Sequence, residues 1–496
     1  MMNEFDIIVI GSGLGGLETA VMLSKEGFNV CVVEKNRQVG GCLQSYVRHG
    51  YKLDTGMHYI GSLGSGQVLH QCFSYFGIMD RLRLKKLDEE AFDRIHYAGG
   101  VYDYAMGEEA FIETLSRQFP AESGNLRRYV ARLSEVGHSI SVDNFKKGYV
   151  SNPGALSYFG MSASGVIDSL IADERLRNVL AANSVLYGGV YDKSTFYEHA
   201  MISYSYMEGA YRCIDGSMHI ATSLVDEIRK NGGTVRCDSE VERIMVDGDR
   251  VTGVQLKGGE RIGAKHVISN MHPQLTLDLL DKNKVIKKAF HTRIRSLENS
   301  YGLFTMYLLM KPGACPYVNR NEYIHERESV WYVRHDGPID CCLISMQPMS
   351  DDERFANVIS VITPMYIDEL SEWSDTLPER RGEAYKAFKE RKIAELLALM
   401  KRHGFDWSDK VEYIYSNSPL SYRDYTGTID GSAYGILKDY HSPMTCLLSP
   451  RTKLQNLYFT GQNINVHGAL GVTLTSVITC AEFLGMDYLA KKIGNY

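Results

Sequence analysis

Four residues near the start of the chain have the types and the spacing that bind a dinucleotide. Gly11, Gly13 and Gly16 form a Gly-x-Gly-x-x-Gly pattern, and Glu34 follows about twenty residues later. The first glycine makes a tight turn, the second lets the backbone approach a pyrophosphate, and the third allows a helix to pack closely on a strand. The acid accepts hydrogen bonds from ribose hydroxyls. The residues predicted to contact the ligand in this segment are Gly11, Ser12, Gly13, Leu14, Gly15, Gly16, Glu34 and Lys35.

The elements that must position these residues follow from the pattern around them. Residues 7–10 are an apolar run typical of a strand buried on both faces, and Val30–Val33 is a second such run. Between them a helical pattern begins at Leu17 and ends at Gly27. The pyrophosphate would lie at the N-terminus of this helix, where free N–H groups and the helix dipole favour negative charge. Glu34 disfavours a 2′-phosphorylated nucleotide, whose phosphate would need an arginine.

A second pair of glycines, Gly40 and Gly41, closely follows Glu34, and Cys42 comes next. A site for NAD does not need this pair, whereas a larger flavin dinucleotide does, because the backbone must again approach its pyrophosphate. We therefore predict FAD as the cofactor, with Gly40, Gly41 and Cys42 among the residues that bind it.

Three segments resemble one family of FAD enzymes. Glu34 with the glycine pair, followed by Gly-Tyr-Lys-Leu-Asp-Thr-Gly-Met-His-Tyr-Ile-Gly at residues 50–61, is similar to the flavin-dependent phytoene desaturases, carotenoid isomerases and all-trans-retinol 13,14-reductases (retinol saturases). Residues 418–435 resemble the retinol-saturase branch, and residues 457–473 form the last matching motif. The resemblance covers nearly the whole chain and is loosest in its middle. Residues 214–217, Ile-Asp-Gly-Ser, depart from the proline and two glycines usual in that loop.

The resemblance implies roles for further residues. Met57 and His58 would run beside the flavin ring, and Val241 would hold the adenine through its backbone. His58 and Tyr59 are the catalytic candidates, which would donate or relay a proton, although His58 alternatively only packs against the flavin. The C-terminal residues implied to face the flavin are Gly461, Gln462, Gly471, Val472 and Thr473, and His467 lies near them without an assigned role. A second helix N-terminus there would favour negative charge on the reduced ring.

The predicted fold class is α/β. It combines a Rossmann-like FAD-binding domain, of the glutathione-reductase-like, amine-oxidase type, with an inserted mixed α+β substrate domain. Residues 1–75, 209–271 and 442–496 are assigned to the FAD-binding domain, and residues 76–208 and 272–441 to the substrate domain with its helical cap. Residues 68–211 are predicted to be mostly helical, with helices at 111–119, 126–136 and 172–187. Strands are predicted at 300–310, 329–334, 342–346 and 358–363, and a helix at 378–403.

Composition excludes some classes of protein. The chain has 496 residues and a net charge of −6, with no basic block, so no nucleic-acid partner is expected. Ten cysteines occur without a Cys-x-x-Cys pair or a zinc-ligand spacing, which predicts no metal site, free thiols and a reducing cytoplasm. No run of eighteen apolar residues is present, and peripheral contact with a membrane stays open. The 32 tyrosines and 20 methionines suit either an adaptable apolar cavity or an aromatic core.

The resemblance implies chemistry at C=C bonds of a long lipophilic polyene or isoprenoid, similar to retinol or a carotenoid. We expect saturation of one double bond, and desaturation and cis–trans isomerisation stay open. An amine oxidase shares the fold, but the pair His58-Tyr59 resembles the saturase branch. A non-enzyme alternative, the inhibitors that extract prenylated small GTPases, is disfavoured by intact flavin motifs at both ends. Because no second Gly-x-Gly-x-x-Gly follows a strand, an external electron donor or acceptor is expected.

Overall fold

Two seven-stranded sheets form the framework of the protein. The computed structural model describes residues 4–140, 157–334, 337–349 and 353–496. The strands are β1 Glu4–Ile10, β2 Val30–Val33, β3 Ser45–Arg48, β4 Tyr51–Asp54, β5 Ile60–Gly61, β6 Leu84–Lys86, β7 Asp93–Tyr97, β8 Gly100–Tyr104, β9 Ala210–Cys213, β10 Thr234–Arg236, β11 Val241–Asp247, β12 Arg250–Leu256, β13 Arg261–Ser269, β14 Gly302–Met310, β15 Asn321–His325, β16 Cys341–Met346, β17 Val358–Met365, β18 Val411–Asn417 and β19 Leu457–Phe459.

Helices cover both sheets. They are α1 Leu14–Lys25, α2 Val68–Phe76, α3 Glu108–Gln118, α4 Ser123–Ser139, α5 Ala163–Leu170, α6 Glu174–Ala181, α7 Phe196–Glu208, α8 Met218–Lys230, α9 Pro273–Asp278, α10 Lys288–Arg295, α11 Gly382–Arg402, α12 Pro419–Thr426, α13 Pro443–Cys446, α14 Gly468–Leu484 and α15 Met486–Ile493. Across the described residues, no helix is both long and apolar enough to cross a membrane.

The first sheet has the order β10-β2-β1-β13-β12-β11, with β19 beside β13. β1 runs parallel to both β2 and β13, as expected for an apolar strand that is buried on both faces. α1 returns the chain from β1 to β2 and ends just before Gly27, whose φ of +86° a side chain would disfavour. α1 and α14 pack on each other. The predicted β1-α1-β2 unit is therefore present, and α14 is the helix predicted to begin within the C-terminal motif.

The second sheet has the order β18-β14-β17-β16-β15-β7-β8. One of its faces packs under α11, through Tyr385, Phe388 and Leu396 of the helix. The other face, which carries Tyr323 and Leu343, belongs to the same hydrophobic core as α1 and α7. This second face is the one turned toward the predicted cofactor site. All strands of the first sheet fall in the segments assigned to the FAD-binding domain, and all strands of the second fall in those assigned to the substrate domain. The domain boundaries themselves stay a prediction.

Three secondary-structure predictions are corrected. The region 68–211 is not mostly helical throughout, because it contains β6, β7, β8 and β9, of which β7 and β8 extend the second sheet. The predicted helix 172–187 is shorter, since α6 ends at Ala181. Residues 329–334 do not form a strand; the strand of this region is β15 instead. In this segment two backbone N–H groups donate to side chains instead of to a neighbouring strand: Val330 N to Asn178 Oδ1 at 3.1 Å and Trp331 N to Ser329 Oγ at 3.3 Å.

Candidate cofactor site and the adjoining cavities

The first glycine loop has no room for side chains. Gly11 has a φ of +93° and turns the chain from β1 toward α1. A Cβ on Gly16 would lie 2.1 Å from the Gly11 carbonyl oxygen, and a Cβ on Gly15 would lie 2.8 Å from Gly461 Cα. The loop from the start of the chain thus contacts the loop that precedes α14. Among the residues that the structure describes, none caps the N-terminus of α1 with its side chain, and the first turn of α1 carries no acidic residue, so its amides are available to bind an anion.

Asn270 supports this loop, and sequence reasoning did not identify it. Its backbone N–H donates to Ile10 O at 2.9 Å, directly before the glycine turn. A Cβ on Gly13 would lie 2.9 Å from Asn270 Nδ2, and a Cβ on Gly461 would lie 2.2 Å from Asn270 Oδ1. One amide side chain therefore fills the space behind both glycine loops. The only signal available in the sequence was its position immediately after β13, a strand that lies beside β1.

Glu34 lies at the end of β2 and is almost fully buried. Its Oε2 accepts hydrogen bonds from Ser12 N at 3.0 Å and from Ser12 Oγ at 2.6 Å, and its Oε1 accepts one from Asn36 N at 2.9 Å. Ser239 N donates to Glu34 O at 2.8 Å, which brings the segment leading to Val241 to the same edge of the sheet. The predicted ribose acid and the predicted adenine residue therefore lie in one region.

The second glycine pair packs directly on the first loop. Gly40 N donates to Ser12 O at 2.9 Å, and a Cβ on Gly41 would lie 3.1 Å from Gly13 Cα. Cys42 in turn contacts Gly56, where a Cβ would lie 3.2 Å from Cys42 Cβ. This contact brings Cys42 to the segment that contains Met57. Burial raises the pKa of the Cys42 thiol to about 11, so the thiol is neutral at ordinary pH.

The start of α14 meets the start of α1. A Cβ on Gly15 would lie 3.1 Å from Val472 Cγ1. Like α1, α14 has no side-chain cap and no acidic residue in its first turn. Thr473 Oγ1 donates to Glu18 Oε1 at 2.6 Å, so the Thr473 side chain forms a hydrogen bond between α14 and α1. Lys35 Nζ donates to Asp424 O at 3.3 Å, on the side of the second sheet.

These residues fit an FAD molecule. The two glycine loops adjoin each other and exclude side chains, as close approach of a pyrophosphate requires. The two helix N-termini are uncapped by side chains, and an acid stands at the end of β2. Direct contact of each predicted residue with the cofactor stays a prediction.

Two narrow spaces lie on the face of the second sheet that is turned toward this site. The first has a cavity volume of about 10 Å³, roughly the room for one water molecule, and is lined by Asp54, Met57, His58, Tyr59, Cys213, Ser345, Met346, Gln347, Pro348 and Ser360. The second also has a cavity volume of about 10 Å³ and is lined by Ser184, Val185, Tyr301, Tyr323, His325, Val330, Tyr332, Cys341, Cys342, Leu343, Ile362 and Pro364. The first thus adjoins the predicted flavin segment, and the second is largely apolar and aromatic.

The two spaces adjoin each other on the sheet. Ser345 pairs with Ser360, and Leu343 pairs with Ile362, in the register of β16 and β17. Because side chains alternate between the faces of a strand, Leu343 and Ser345 point to the same face, about 7 Å apart along the strand. Tyr323 of β15 pairs with Leu343 and extends the second row. The lining of one space therefore continues into the lining of the other.

The two catalytic candidates differ in their surroundings. Burial, reinforced by the positive charge of Arg212, lowers the pKa of His58 to about 4, so its ring is neutral at ordinary pH. Tyr59 is buried, and its hydroxyl donates to Asp93 Oδ2 at 3.0 Å and shares a hydrogen bond of 2.5 Å with the Tyr323 hydroxyl. Burial raises the pKa of Asp93 to about 7. Sequence reasoning missed Asp93 and Tyr323.

A buried ionic cluster lies at the N-terminus of α14. Lys438, Glu198 and His467 are 0%, 1% and 3% exposed, and His467 Nδ1 is 3.4 Å from Glu198 Oε1. Lys438 Nζ donates to Cys446 O at 3.2 Å. Burial raises the pKa of Glu198 and lowers that of Lys438. It also lowers the pKa of His467 to about 3, so this residue, which directly precedes α14, is neutral.

Comparisons with known proteins agree with this architecture. Residues 14–391 match the family described as flavin containing amine oxidoreductase. The all-trans-retinol 13,14-reductase of Homo sapiens is 26% identical over 534 residues, which cover 97% of this chain and 85% of that protein. The 4,4'-diapolycopene oxygenase of Methylomonas sp is 23% identical over 96% of this chain and 97% of its own. A putrescine oxidase structure aligns with a TM-score of 0.67 at 14% identity, over 97% of this chain and 98% of that one. The resemblance and the fold class inferred from the sequence are confirmed.

Proposed function

The chain belongs to the flavin-containing amine oxidoreductase family, and from this premise we propose that it is an FAD-dependent enzyme that saturates one C=C bond of a long lipophilic polyene or isoprenoid. The observation that carries the proposal is the apolar space lined by Tyr301, Tyr323, Leu343 and Ile362, which adjoins the space beside His58. The aromatic and aliphatic lining is chemically suited to a long apolar chain, which these side chains would move apart to admit and would shield from water. The relatives named for retinol and for a carotenoid support this substrate class.

In this proposal, separate groups of residues bind the cofactor and position the substrate. The glycine loops and the N-terminus of α1 would hold the pyrophosphate, the N-terminus of α14 would favour negative charge on the reduced ring, Glu34 would bind the ribose, and Val241 would contact the adenine. The reduced flavin supplies the hydride when it is bound. The second sheet holds one double bond of the substrate against the ring in a dry space. Residues 1–75, 209–271 and 442–496 form the cofactor domain in this proposal, and the remaining described segments form the substrate domain.

Protonation of the second carbon falls to side chains beside the cavities. His58 and Tyr59 are the two candidates that the sequence pattern indicates. A neutral His58 with a pKa of about 4 carries no proton beyond its single N–H at ordinary pH, so it orients or packs rather than acting as a strong acid. Tyr59 holds its proton in a hydrogen bond to Asp93. The electrons come from an external donor, and a lipophilic substrate reaches the cavity by peripheral contact of the protein with a membrane.

The experiment that tests the proposal is an anaerobic half-reaction. Photoreduced enzyme is mixed with all-trans-retinol and, separately, with phytoene, and flavin reoxidation is followed by absorbance. The product is then weighed by mass spectrometry. A polyene that gains two hydrogens supports saturation. A polyene that loses two hydrogens when it is incubated with oxidised enzyme indicates desaturation. An unchanged mass without electron consumption indicates isomerisation. Rapid reduction of oxidised enzyme by putrescine, with no reaction of either polyene, would replace the proposal with amine oxidation.

A further inference from the structure

A chain of hydrogen bonds connects a buried acid to the apolar cavity. Asp93 is fully buried on β7, and its Oδ2 accepts a hydrogen bond from the Tyr59 hydroxyl at 3.0 Å. The Tyr59 hydroxyl lies 2.5 Å from the Tyr323 hydroxyl. Tyr323 is one of the residues that line the apolar space. Three side chains from three separate elements thus form a continuous path of exchangeable protons that ends at the cavity.

The acid end of this path is held in a fixed orientation. Asp93 Oδ1 accepts a hydrogen bond from Asn321 Nδ2 at 2.8 Å. Arg212, itself 1% exposed, donates to Asn321 Oδ1 at 2.6 Å and to Arg320 O at 2.8 Å. Because Oδ1 is occupied by the asparagine, Oδ2 is the oxygen left to exchange a proton with Tyr59. Arg212 acts through Asn321 and is a positioning residue.

We propose that Asp93, Tyr59 and Tyr323 form a proton relay, and that the Tyr323 hydroxyl gives the proton to the substrate carbon beside the one that receives hydride. The inference rests on the proposed function. When Asp93 is protonated, the hydrogen bond between Asp93 and Tyr59 is reversed, so that Asp93 Oδ2–H donates to the Tyr59 oxygen and the Tyr59 hydroxyl donates to Tyr323. The O–H bond of Tyr323 then breaks as the C–H bond forms, the Tyr59 proton moves to the Tyr323 oxygen, and the Asp93 proton moves to the Tyr59 oxygen. The substrate gains one proton and, from the reduced flavin, one hydride. Asp93 is left as a carboxylate, which regains its proton from water before the next turnover.

The relay includes a carboxyl group as well as two tyrosines because the negative charge that remains after proton transfer needs a favourable position. Burial raises the pKa values of Tyr59 and Tyr323 well above 10, so each hydroxyl keeps its proton and a phenolate left in the cavity would be costly. The relay instead leaves the negative charge on a carboxylate whose pKa is about 7 and which the positive charge of Arg212 favours. The charged and titratable groups around Asp93 are Tyr59, Tyr104, Tyr206, Arg212, Glu322 and Tyr323.

The relay predicts a defined pH dependence. Asp93 must be protonated to give up a proton, so the rate of flavin reoxidation by the polyene should be constant at low pH and fall tenfold per pH unit above about pH 7. Asp93→Asn, Tyr59→Phe and Tyr323→Phe should each lower this rate by roughly 10²–10⁴-fold and remove the high-pH limb. The matched control is Tyr104→Phe. Tyr104 pairs with Asp93 in the sheet, but its hydroxyl donates to the backbone carbonyl of Val179, so this variant should keep both the rate and the limb.

A second readout needs no substrate. The infrared difference between the wild-type protein and Asp93→Asn should contain the C=O stretch of one carboxylic acid, which disappears as the pH is raised through about 7. The band should shift in frequency in Tyr59→Phe, because the acid loses its hydrogen-bond partner, and stay in place in Tyr104→Phe. Absence of the band at low pH would overturn the relay even if every variant folds and binds flavin.

The outcomes separate this inference from the proposed function. If wild-type enzyme reacts and Tyr323→Phe reacts equally fast with an unchanged pH profile, the relay is overturned and the proposed function stands. If neither polyene reacts with wild-type enzyme, the proposed function is overturned. The relay is then overturned as well, because no substrate carbon accepts its proton. If a polyene instead reduces the oxidised enzyme, at a rate that rises with pH to about 7, the relay runs in reverse with Asp93 as base. That result supports the relay and overturns saturation.

Discussion

Glu18 is an ionisable group enclosed between the two helices that begin at the predicted cofactor site. It is fully buried on α1, and Thr473 Oγ1 and Ser476 Oγ of α14 donate hydrogen bonds to its carboxyl oxygens at 2.6 and 3.1 Å. Burial raises the pKa of Glu18 from 4.5 to about 8, and the two hydroxyl donors only partly oppose this effect. Glu18 is therefore neutral at pH 7 in the folded protein and ionised in the unfolded chain.

This difference makes stability depend on pH. Both states hold the proton below pH 4.5, so the stability contribution of Glu18 is complete there. Between pH 4.5 and about 8 only the folded state holds it, and the free energy of unfolding falls by about 1.4 kcal/mol per pH unit. From pH 5 to pH 8 the loss is about 3.5 kcal/mol. Glu18→Gln keeps the shape and cannot ionise, so its stability relative to that of the wild type should rise by this amount between pH 5 and pH 8.

Urea denaturation at pH 5, 6, 7 and 8, followed by far-ultraviolet circular dichroism, measures the effect. Other buried groups titrate in this interval, so the informative quantity is the wild-type free energy minus that of the variant at each pH. The control is Glu113→Gln on α3, the same substitution at an exposed position. Parallel pH curves for wild type and Glu18→Gln would refute the reasoning, because they would show that Glu18 is ionised in the folded protein.

Three further predictions concern the cofactor. Gly13→Val should abolish flavin binding, because a Cβ there would lie 2.9 Å from Asn270 Nδ2 and the side chain would obstruct the pyrophosphate. The flavin absorbance of the purified protein measures this loss. The control is Gly124→Ala on α4, where a Cβ would meet no described atom within 4 Å. Gly461→Ala should also reduce flavin occupancy, because the φ of Gly461 is +87° and a Cβ there would lie 2.2 Å from Asn270 Oδ1. Full occupancy would show that this loop can rearrange to accommodate the added methyl group. Without a partner reductase, NADPH should reduce the flavin slowly or not at all under anaerobic conditions, and rapid bleaching of the purified protein by NADPH alone would refute this prediction.

The parts of the fold that were predicted correctly are specified by neighbouring residues. The β1-α1-β2 unit and α14 each have their glycines, apolar periodicity and boundaries within one short segment. The strand β7 was missed because its alternating pattern, Asp-Arg-Ile-His-Tyr, is only five residues long and lies within a region that was assigned to helices as a whole. Its partner β15 lies more than two hundred residues further along the chain, so the pairing that makes it a strand is not visible locally.

The residues of the candidate site also differ in whether the sequence alone identifies them. Glycines can be recognised from the sequence because the absence of a side chain is itself the requirement, as at Gly13 and Gly41. Asn270 is a single polar residue after a strand, and its function depends on two loops that approach it from both ends of the chain. Asp93 and Tyr323 are likewise ordinary residue types on strands, and the parallel pairing of β7 with β15 is what places them on one face.

The tyrosines illustrate what composition could not decide. Many of them donate their hydroxyl to a backbone carbonyl, as Tyr307 does to Asp54 O at 2.7 Å and Tyr434 does to Val185 O at 2.7 Å, which is how an aromatic core satisfies a polar tip. Tyr59 and Tyr323 differ because their hydroxyls bond each other, and Tyr59 also bonds a carboxyl group. A hydroxyl that donates to a carbonyl cannot pass its proton on, since the carbonyl has none to return. A hydroxyl between another hydroxyl and an acid can both give and receive a proton, so the same residue type serves the core in one place and proton transfer in the other.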